Sequence, residues 1–193
     1  MNWKLNILLI SGICFVFTQE PDEFQYNSSQ FQAYYFFLSV TLNGFQIEPE
    51  DWVGAFNGDV CVGARQWSDC NGDLACDVPI LGFDFQAEVT NGYMQSGEVP
   101  TFKIYDASAN NIYDATPSEN HEWYDLLIPV IETLTSCTHY DCEGTCGGNA
   151  EYDDCGTCSM GFTGHVPNSA MDCEGTCGGN AEFDDCGICN GPG

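Results

Sequence analysis

The chain has 193 residues, of which 29 are Asp or Glu and only 3 are Lys or Arg, for a formal charge of −26 at pH 7. So acidic a chain repels nucleic acid and anionic membrane surfaces, and neither is expected as a partner. Its 13 cysteines belong to an oxidising compartment rather than to a reducing cytosol.

The chain opens on Lys4 followed by a nearly unbroken apolar run from Leu5 to Phe17. That run is short of the roughly 20 residues a membrane helix needs, and it fits a secretory signal. Val16 and Thr18 offer small residues for cleavage before Gln19, so residues 1–18 are read as a signal peptide. The mature chain is expected to be secreted, extracellular or at the cell surface, with no membrane insertion. Loss of the signal takes Cys14 with it and leaves Arg65 and Lys103 as the strong bases. The remaining cysteines are even in number: Cys61, Cys70, Cys76 and Cys137, then eight in the C-terminal part. An even set in an exported chain reads as disulfides; zinc would need thiolates that such a compartment does not keep reduced.

Residues 19–29 (QEPDEFQYNSS) read as an exposed, extended N-terminal arm, with Asn27-Ser28-Ser29 an N-glycosylation sequon. Residues 30–136 then read as one β domain. Tyr34, Phe36, Leu38, Val40 and Leu42 repeat with period two, which argues a strand closed by the turn Asn43-Gly44. On this pattern Tyr34 and Phe36 face the core, while Tyr35 and Phe37 form an outer surface open to contact. Trp52–Phe56, Asn57-Gly58 and Val60–Val62 read as a hairpin with a tight Asn-Gly turn. Further strands are expected at Pro79–Phe85, Thr101–Tyr105 and Leu126–Ile131, with turns at Asn71-Gly72-Asp73, Asn91-Gly92, Ser96-Gly97 and Asn110-Asn111. No stretch has a helical period with caps. Short strands at this spacing predict an all-β domain, an immunoglobulin-like or jelly-roll β-sandwich. Of three possible connectivities among its four cysteines, the expected one clips Cys70 to Cys76 across a short loop and ties Cys61 to Cys137.

Residues 137–193 change character: they hold no Lys or Arg and few bulky apolar side chains. Residues 141–158 (DCEGTCGGNAEYDDCGTC) recur almost unchanged as 172–189 (DCEGTCGGNAEFDDCGIC). Each copy spaces its cysteines C-x3-C-x8-C-x2-C: Cys142, Cys146, Cys155 and Cys158, then Cys173, Cys177, Cys186 and Cys189. A tandem array this poor in apolar residues needs covalent or ionic staples. Hard oxygens gathered by glycine turns suit calcium, so Asp141, Asn149, Asp153 and Asp154, with Asp172, Asn180, Asp184 and Asp185, are the candidate Ca2+ ligands. Glu143, Glu151, Glu174 and Glu182 rank behind them. The alternating D-x-D-x-D-G of an EF-hand is missing.

The repeat pattern D-C-x-G-x-C-G-G-x-A-x-x-D-x-C-G-x-C resembles Cys-rich repeats of large secreted surface proteins of marine microbes. It is also loosely similar to the calcium-binding type 3 repeats of thrombospondins, without their longer Asp ladder. Upstream, DWVGAFNGDVCVGA (Asp51–Ala64) followed by FKIYDA (Phe102–Ala107) resembles a β-sandwich module of secreted bacterial and protist surface proteins. The resemblance implies a non-catalytic module beside adhesive or Cys-rich repeats.

An enzyme is not expected. General acid–base chemistry usually recruits histidine, and the histidines are His121, His139 and His165, two of them in or beside the Cys-rich tail. The preferred reading is a secreted structural subunit of an extracellular fibre, sheath or coat that self-associates into a polymer, with the arm adding a strand to a neighbour's sheet. The alternative is a carbohydrate-binding or adhesion module, with Trp67 and Trp123 as exposed glycan-contact candidates.

Overall fold

Strand β1 (Gln32–Leu42) is the axis of the fold. Its sequence, QAYYFFLSVTL, is largely aromatic and β-branched, the side chains that pack well on a pleated surface. Its first half pairs antiparallel with β5 (Cys76–Leu81), from Gln32↔Leu81 to Phe37↔Cys76. Its second half pairs parallel with β8 (Val130–Ser136), from Phe36↔Val130 to Leu42↔Ser136. Asn43 and Gly44, both at positive φ (52° and 81°), turn the chain into the short β2 (Phe45–Gln46), as a two-residue hairpin loop requires. The structure is a computed structural model that describes residues 20–70 and 75–192. The expected signal segment and the expected turn at Asn71-Gly72-Asp73 lie outside the described residues.

The remaining strands are β3 (Trp52–Asn57), β4 (Val60–Gln66), β6 (Thr101–Asp106) and β7 (Asn111–Pro117). The order is β2-β1-β8-β7-β6-β3-β4, with β5 on the other edge of β1. Strand β7 joins the halves: its first residues pair with β6, and only Thr116 and Pro117 reach β8, opposite Thr135 and Leu134. The result is one curled, mixed sheet with almost no helix beyond short 3-10 turns. The curl brings β4 back over β5. The Arg65 guanidinium pairs with the Asp77 carboxylate, and Arg65 Nε donates to Asp77 O (3.0 Å). Among the described residues no helix is long and apolar enough to cross a membrane.

The face assignment of β1 is the reverse of the expected one. Ala33, Tyr35 and Phe37 are fully buried, Tyr34 and Phe36 are only half-buried, and Leu38 is exposed. The curl closes over the odd-numbered face, where Tyr35 and Phe37 meet Phe102 from β6 (centroids 6.1 and 5.1 Å). The alternation then slips by one in both paired strands. The buried residues pass from Phe37 to Val40 in β1 and from Ile131 to Leu134 in β8. Other boundaries also move: β5 ends at Leu81 rather than Phe85, β8 begins at Val130 rather than Leu126, and the hairpin turn is Gly58-Asp59. Strand β7 has no counterpart among the expected strands.

The N-terminal segment is not an extended arm. Strands β3 and β4 are buried on both faces, in consecutive runs Val53–Phe56 and Cys61–Ala64. One face meets the main core. The other is covered by Phe24, which packs with Phe56, Cys61 and Ala64. Further along, Asn27 N donates to Tyr93 Oη (2.6 Å), the Tyr93 hydroxyl donates back to Asn27 O (3.1 Å), and Ser29 Oγ donates to Gly82 O (2.6 Å). The segment is a strap on its own domain, which removes it as the strand donor expected for a neighbour. The Asn27 side chain of the sequon is exposed.

Candidate functional site

The C-terminal repeats resolve into a smaller unit than the one the cysteines suggest. Asp141, Asp153, Asp172 and Asp184 each begin D-x-x-G-x-C, and all four segments fold alike. In each, the Asp N–H donates to the carbonyl four residues on: Thr145, Thr157, Thr176 and Ile188, at 2.9–3.0 Å. The glycine at the fourth position (Gly144, Gly156, Gly175, Gly187) donates its N–H back to the Asp carbonyl and takes a positive φ. The Asp Oδ1 then accepts two backbone N–H groups, from the residues two and four further on: Glu143 and Thr145, Cys155 and Thr157, Glu174 and Thr176, Cys186 and Ile188. An aspartate that bonds the backbone just ahead of it is a local alternative to regular secondary structure, and here it takes the place of a core.

The second carboxylate oxygen is also used. Asp141 Oδ2 accepts Ala150 N and Asp172 Oδ2 accepts Ala181 N, each at 3.2 Å. Gly148, Gly179 and Gly191 crowd these oxygens so closely that a Cβ would fall within 1.9 Å of Asp141 Oδ2, or 1.8 Å of Asp172 or Asp184 Oδ2. At Asp153 the corresponding residue is not glycine; Ser159 Oγ (3.1 Å) and Asn168 N (2.9 Å) donate instead.

These donors hold the Asp141, Asp153 and Asp172 carboxyl groups below the ordinary range. At Asp153 and Asp172 the leading cause is the N–H of Thr157 or Thr176, against an opposing push from desolvation. At Asp141 desolvation is the largest single influence and pushes up. The donors Thr145, Ala150, Glu143 and Gly144 together outweigh it, so the net shift is again downward.

The first unit is seated on the β domain. Asn43 Oδ1, in the β1–β2 turn, accepts both Thr138 N (2.8 Å) and Thr138 Oγ1 (2.9 Å). A Cβ on Gly147, at φ 64°, would lie 1.8 Å from Asn43 O. A disulfide Cys137–Cys146 spans the same joint. From there the links form a ladder: Cys142–Cys158, Cys155–Cys177 and Cys173–Cys189, with Cys70–Cys76 apart in the β domain.

Searches against protein-family models, curated proteins and solved structures find no match.

Of the expected pairings Cys70–Cys76 forms and Cys61–Cys137 does not. Cys61 is a buried free thiol, its Sγ directed at Phe24 O (3.2 Å), and burial pushes its pKa up to about 11. Cys137 is taken by Cys146. Of the two glycan-contact candidates expected to be exposed, Trp123 is not. Trp123 is buried, with its Nε1 donating to Ile80 O (2.9 Å), and Trp67 is half-buried against the core.

The eight positions expected to hold calcium are spread over four separate loops. Four of the aspartates (141, 153, 172 and 184) face backbone N–H donors, the reverse of the carbonyl-lined cage a hard cation takes. Asn149, Asp154, Asn180 and Asp185 lie exposed, and Asp154 is hydrogen-bonded to the Asn168 side chain (2.9 Å). Among the described residues no group of three or more His, Cys, Asp or Glu is placed to hold a metal ion. The four hub aspartates accept backbone N–H groups within their own loops.

A further position, the residue before each hub, is not singled out by the cysteine spacing. Tyr140, Tyr152, Met171 and Phe183 bridge back to the last cysteine of their own unit. Tyr140, Tyr152 and Phe183 are exposed at 62%, 70% and 67%. Tyr140 and Tyr152 flank an open groove of about 720 Å³ that also takes in His139, Glu143 and Glu151. Laying the four D-x-x-G-x-C segments under one another, with one residue more on the left, would reveal this position in the sequence.

Asp141, Asp153 and Asp172 have a pH signature. A carboxyl whose folded pKa is depressed stabilises the fold fully above its unfolded value, about 3.9, and loses that contribution as pH falls through the folded value. The amide signals of Thr145, Thr157 and Thr176 should therefore titrate with midpoints below about 3.9, and a chelator at neutral pH should leave them unmoved. Midpoints at or above the ordinary value, or loss of the signals on chelation, would remove the carboxylates as hubs.

Proposed function

We propose that this chain is a non-enzymatic structural module of the cell exterior: a β domain carried on a stiff, disulfide-laddered tail, and a subunit of an extracellular fibre, sheath or coat. The supporting observation is the ladder itself. It starts at the joint with the β domain and links each hub unit to the next, so the tail extends the domain as a spacer whose length scales with the number of units. Five disulfides among the described residues fit an oxidising exterior. We read the curled sheet as an immunoglobulin-like or jelly-roll β-sandwich, because β5 lies across β4 at Gly63 and because Tyr35, Phe37 and Phe102 fill the space between. Both readings agree with the resemblance to secreted surface-protein modules. With the N-terminal strap occupied on its own domain, self-association falls to exposed apolar residues such as Leu38 in β1, Val130 in β8, and Leu126 and Ile128 just ahead of β8.

Negative-stain imaging of the oxidised mature protein tests the assembly. Fibres or sheets are the expected result. Dispersed single particles across a concentration series would count against a polymer.

One observation favours carbohydrate binding as a second reading. Exposed aromatic rings are what sugar faces stack on, and the rings of Tyr140 and Tyr152 flank a groove with carboxylates at hand. In a glycan array, binding lost in Tyr140→Ala and Tyr152→Ala but kept in Trp67→Ala would favour this reading.

A further inference from the structure

Both walls of the groove between Tyr140 and Tyr152 are fixed at the backbone. Tyr140 bridges to Cys146 and Tyr152 pairs with Cys158, and these cysteines are disulfide-bonded to Cys137 and Cys142. Asp141, which also lines the groove, accepts the N–H groups of Glu143, Thr145 and Ala150, and Cys142 N donates to Ala150 O (3.3 Å). The two exposed rings therefore stand on backbone that does not have to become ordered when a ligand arrives. At about 720 Å³ the groove lies in the size range that takes a small-molecule ligand.

The side chains in the groove decide which ligand it suits. Glu143 and Glu151 line it, and residues 137–193 contain no Lys or Arg to neutralise them. In the β domain Arg65 is paired with Asp77, and Lys103 lies over the Phe56 ring (4.8 Å). An anionic ligand is repelled, a neutral one gains nothing from charge, and a cationic one gains at each glutamate. The second repeat separates the two ingredients. It keeps both carboxylates, as Glu174 and Glu182, and one ring, Phe183, but has Met171 where the first has Tyr140. Charge is thus common to both repeats, and the pair of rings belongs to the first.

We propose that this groove binds a cationic amino-sugar oligomer, a chain of glucosamine units with free amines. Its sugar faces stack on Tyr140 and Tyr152, and its protonated amines lie beside Glu143 and Glu151. Binding of this kind presupposes the carbohydrate reading given above and narrows it to one ligand class. The C–H face of a pyranose ring supplies the apolar surface for stacking, and the amine supplies the charge that the groove lacks. N-acetylation keeps the ring and removes the charge, so an acetylated oligomer is left with stacking alone. A lysine peptide has the charge and lacks the flat face.

The test is calorimetric titration of the oxidised full chain at about pH 6, where glutamates are ionised. The ligands are a glucosamine tetramer, its fully N-acetylated counterpart and tetralysine. The amine form should bind at a single site, about three- to tenfold more tightly than the acetylated form, as exposed charge pairs allow. That preference should shrink as salt is added. Glu143→Gln combined with Glu151→Gln should remove the preference and leave binding of the acetylated form unchanged, whereas Tyr140→Ala should weaken both. Both glutamates are exposed, so the glutamine variant keeps the fold. Equal binding of the two oligomers would overturn the proposal and leave the carbohydrate reading standing. Binding of neither would overturn it as well, and a blank glycan array beside that result would remove the carbohydrate reading too. Tetralysine binding as tightly as the amine form, or several equivalent sites per chain, would also overturn it, since charge alone would then suffice.

Discussion

Replacing Phe24 with alanine should lower the stability of the β domain by about 3–5 kcal/mol, the usual range for emptying a buried phenylalanine site. Phe24 is 0% exposed, although it lies in a segment whose composition reads as a solvated arm. Its ring meets Phe56 edge-on at 5.5 Å and lies 6.3 Å from Tyr105. It sits over Gly54, where a Cβ would come within 3.0 Å of the ring. A smaller side chain leaves a void that the 3-10 turn Asp22–Phe24 cannot fill without releasing the strap. A second readout separates this from ordinary core loss. Phe24 O faces the Cys61 sulfur, so opening the strap should expose Cys61 to a thiol reagent that does not reach it in the native protein. Phe24→Leu, which keeps most of the volume, should cost under about 1.5 kcal/mol and leave Cys61 protected. If Phe24→Ala leaves urea unfolding unchanged, residues 20–29 do not pack on the domain, and the strand-donor reading returns.

The Asn57-Gly58 turn signal is enough to mark the β3–β4 hairpin, and period-two alternation is enough to find β1, because the period survives whichever face is buried. Alternation is not enough to say which face. In Ala33–Leu38 every residue is apolar or aromatic, so both sets look like a core, and the direction of the sheet's curl decides between them. That direction depends on β7, whose strand character is masked in the sequence because Asp114 and Pro117 dilute its apolar content. It carries Pro117 at its end, where only the last two residues pair with β8. The Cys61–Cys137 pairing fails for a different reason. An even cysteine count does not require that every cysteine is bonded, since two free thiols, Cys61 and Cys186, also leave an even number. In the tail the repeat is plain, while its mechanism is not. Asp beside Gly and Cys is equally compatible with ligating a cation and with accepting backbone N–H groups. Only the loop geometry, with Thr145, Thr157 and Thr176 pointing their amides at Oδ1, distinguishes them.

Gly63→Ala should be among the most damaging single substitutions in the β domain, with a loss of about 3 kcal/mol or more, at the upper end of what overpacking costs. The added Cβ would lie 1.8 Å from Pro79 O and 2.7 Å from Pro79 C. Both are backbone atoms of β5, and β5 is held by its ladder to β1 through the Tyr34↔Pro79 and Tyr35↔Val78 pairs. No side chain can rotate away to relieve the contact. Either β5 shifts off β1 or β4 shifts off β3, and each shift breaks backbone pairing at the place where the curl closes. Gly58→Ala provides the contrast. Gly58 has φ 59° in the β3–β4 turn and nothing within 4 Å of its Cβ position. It should therefore cost only about 1 kcal/mol, from backbone conformation alone. The two variants differ by one methyl group each, so unequal shifts in the urea midpoint at unchanged slope would measure the tightness of the β4–β5 closure directly. Equal shifts would mean that β5 does not lie against β4, and the curled sheet would then be open at the edge where it closes here.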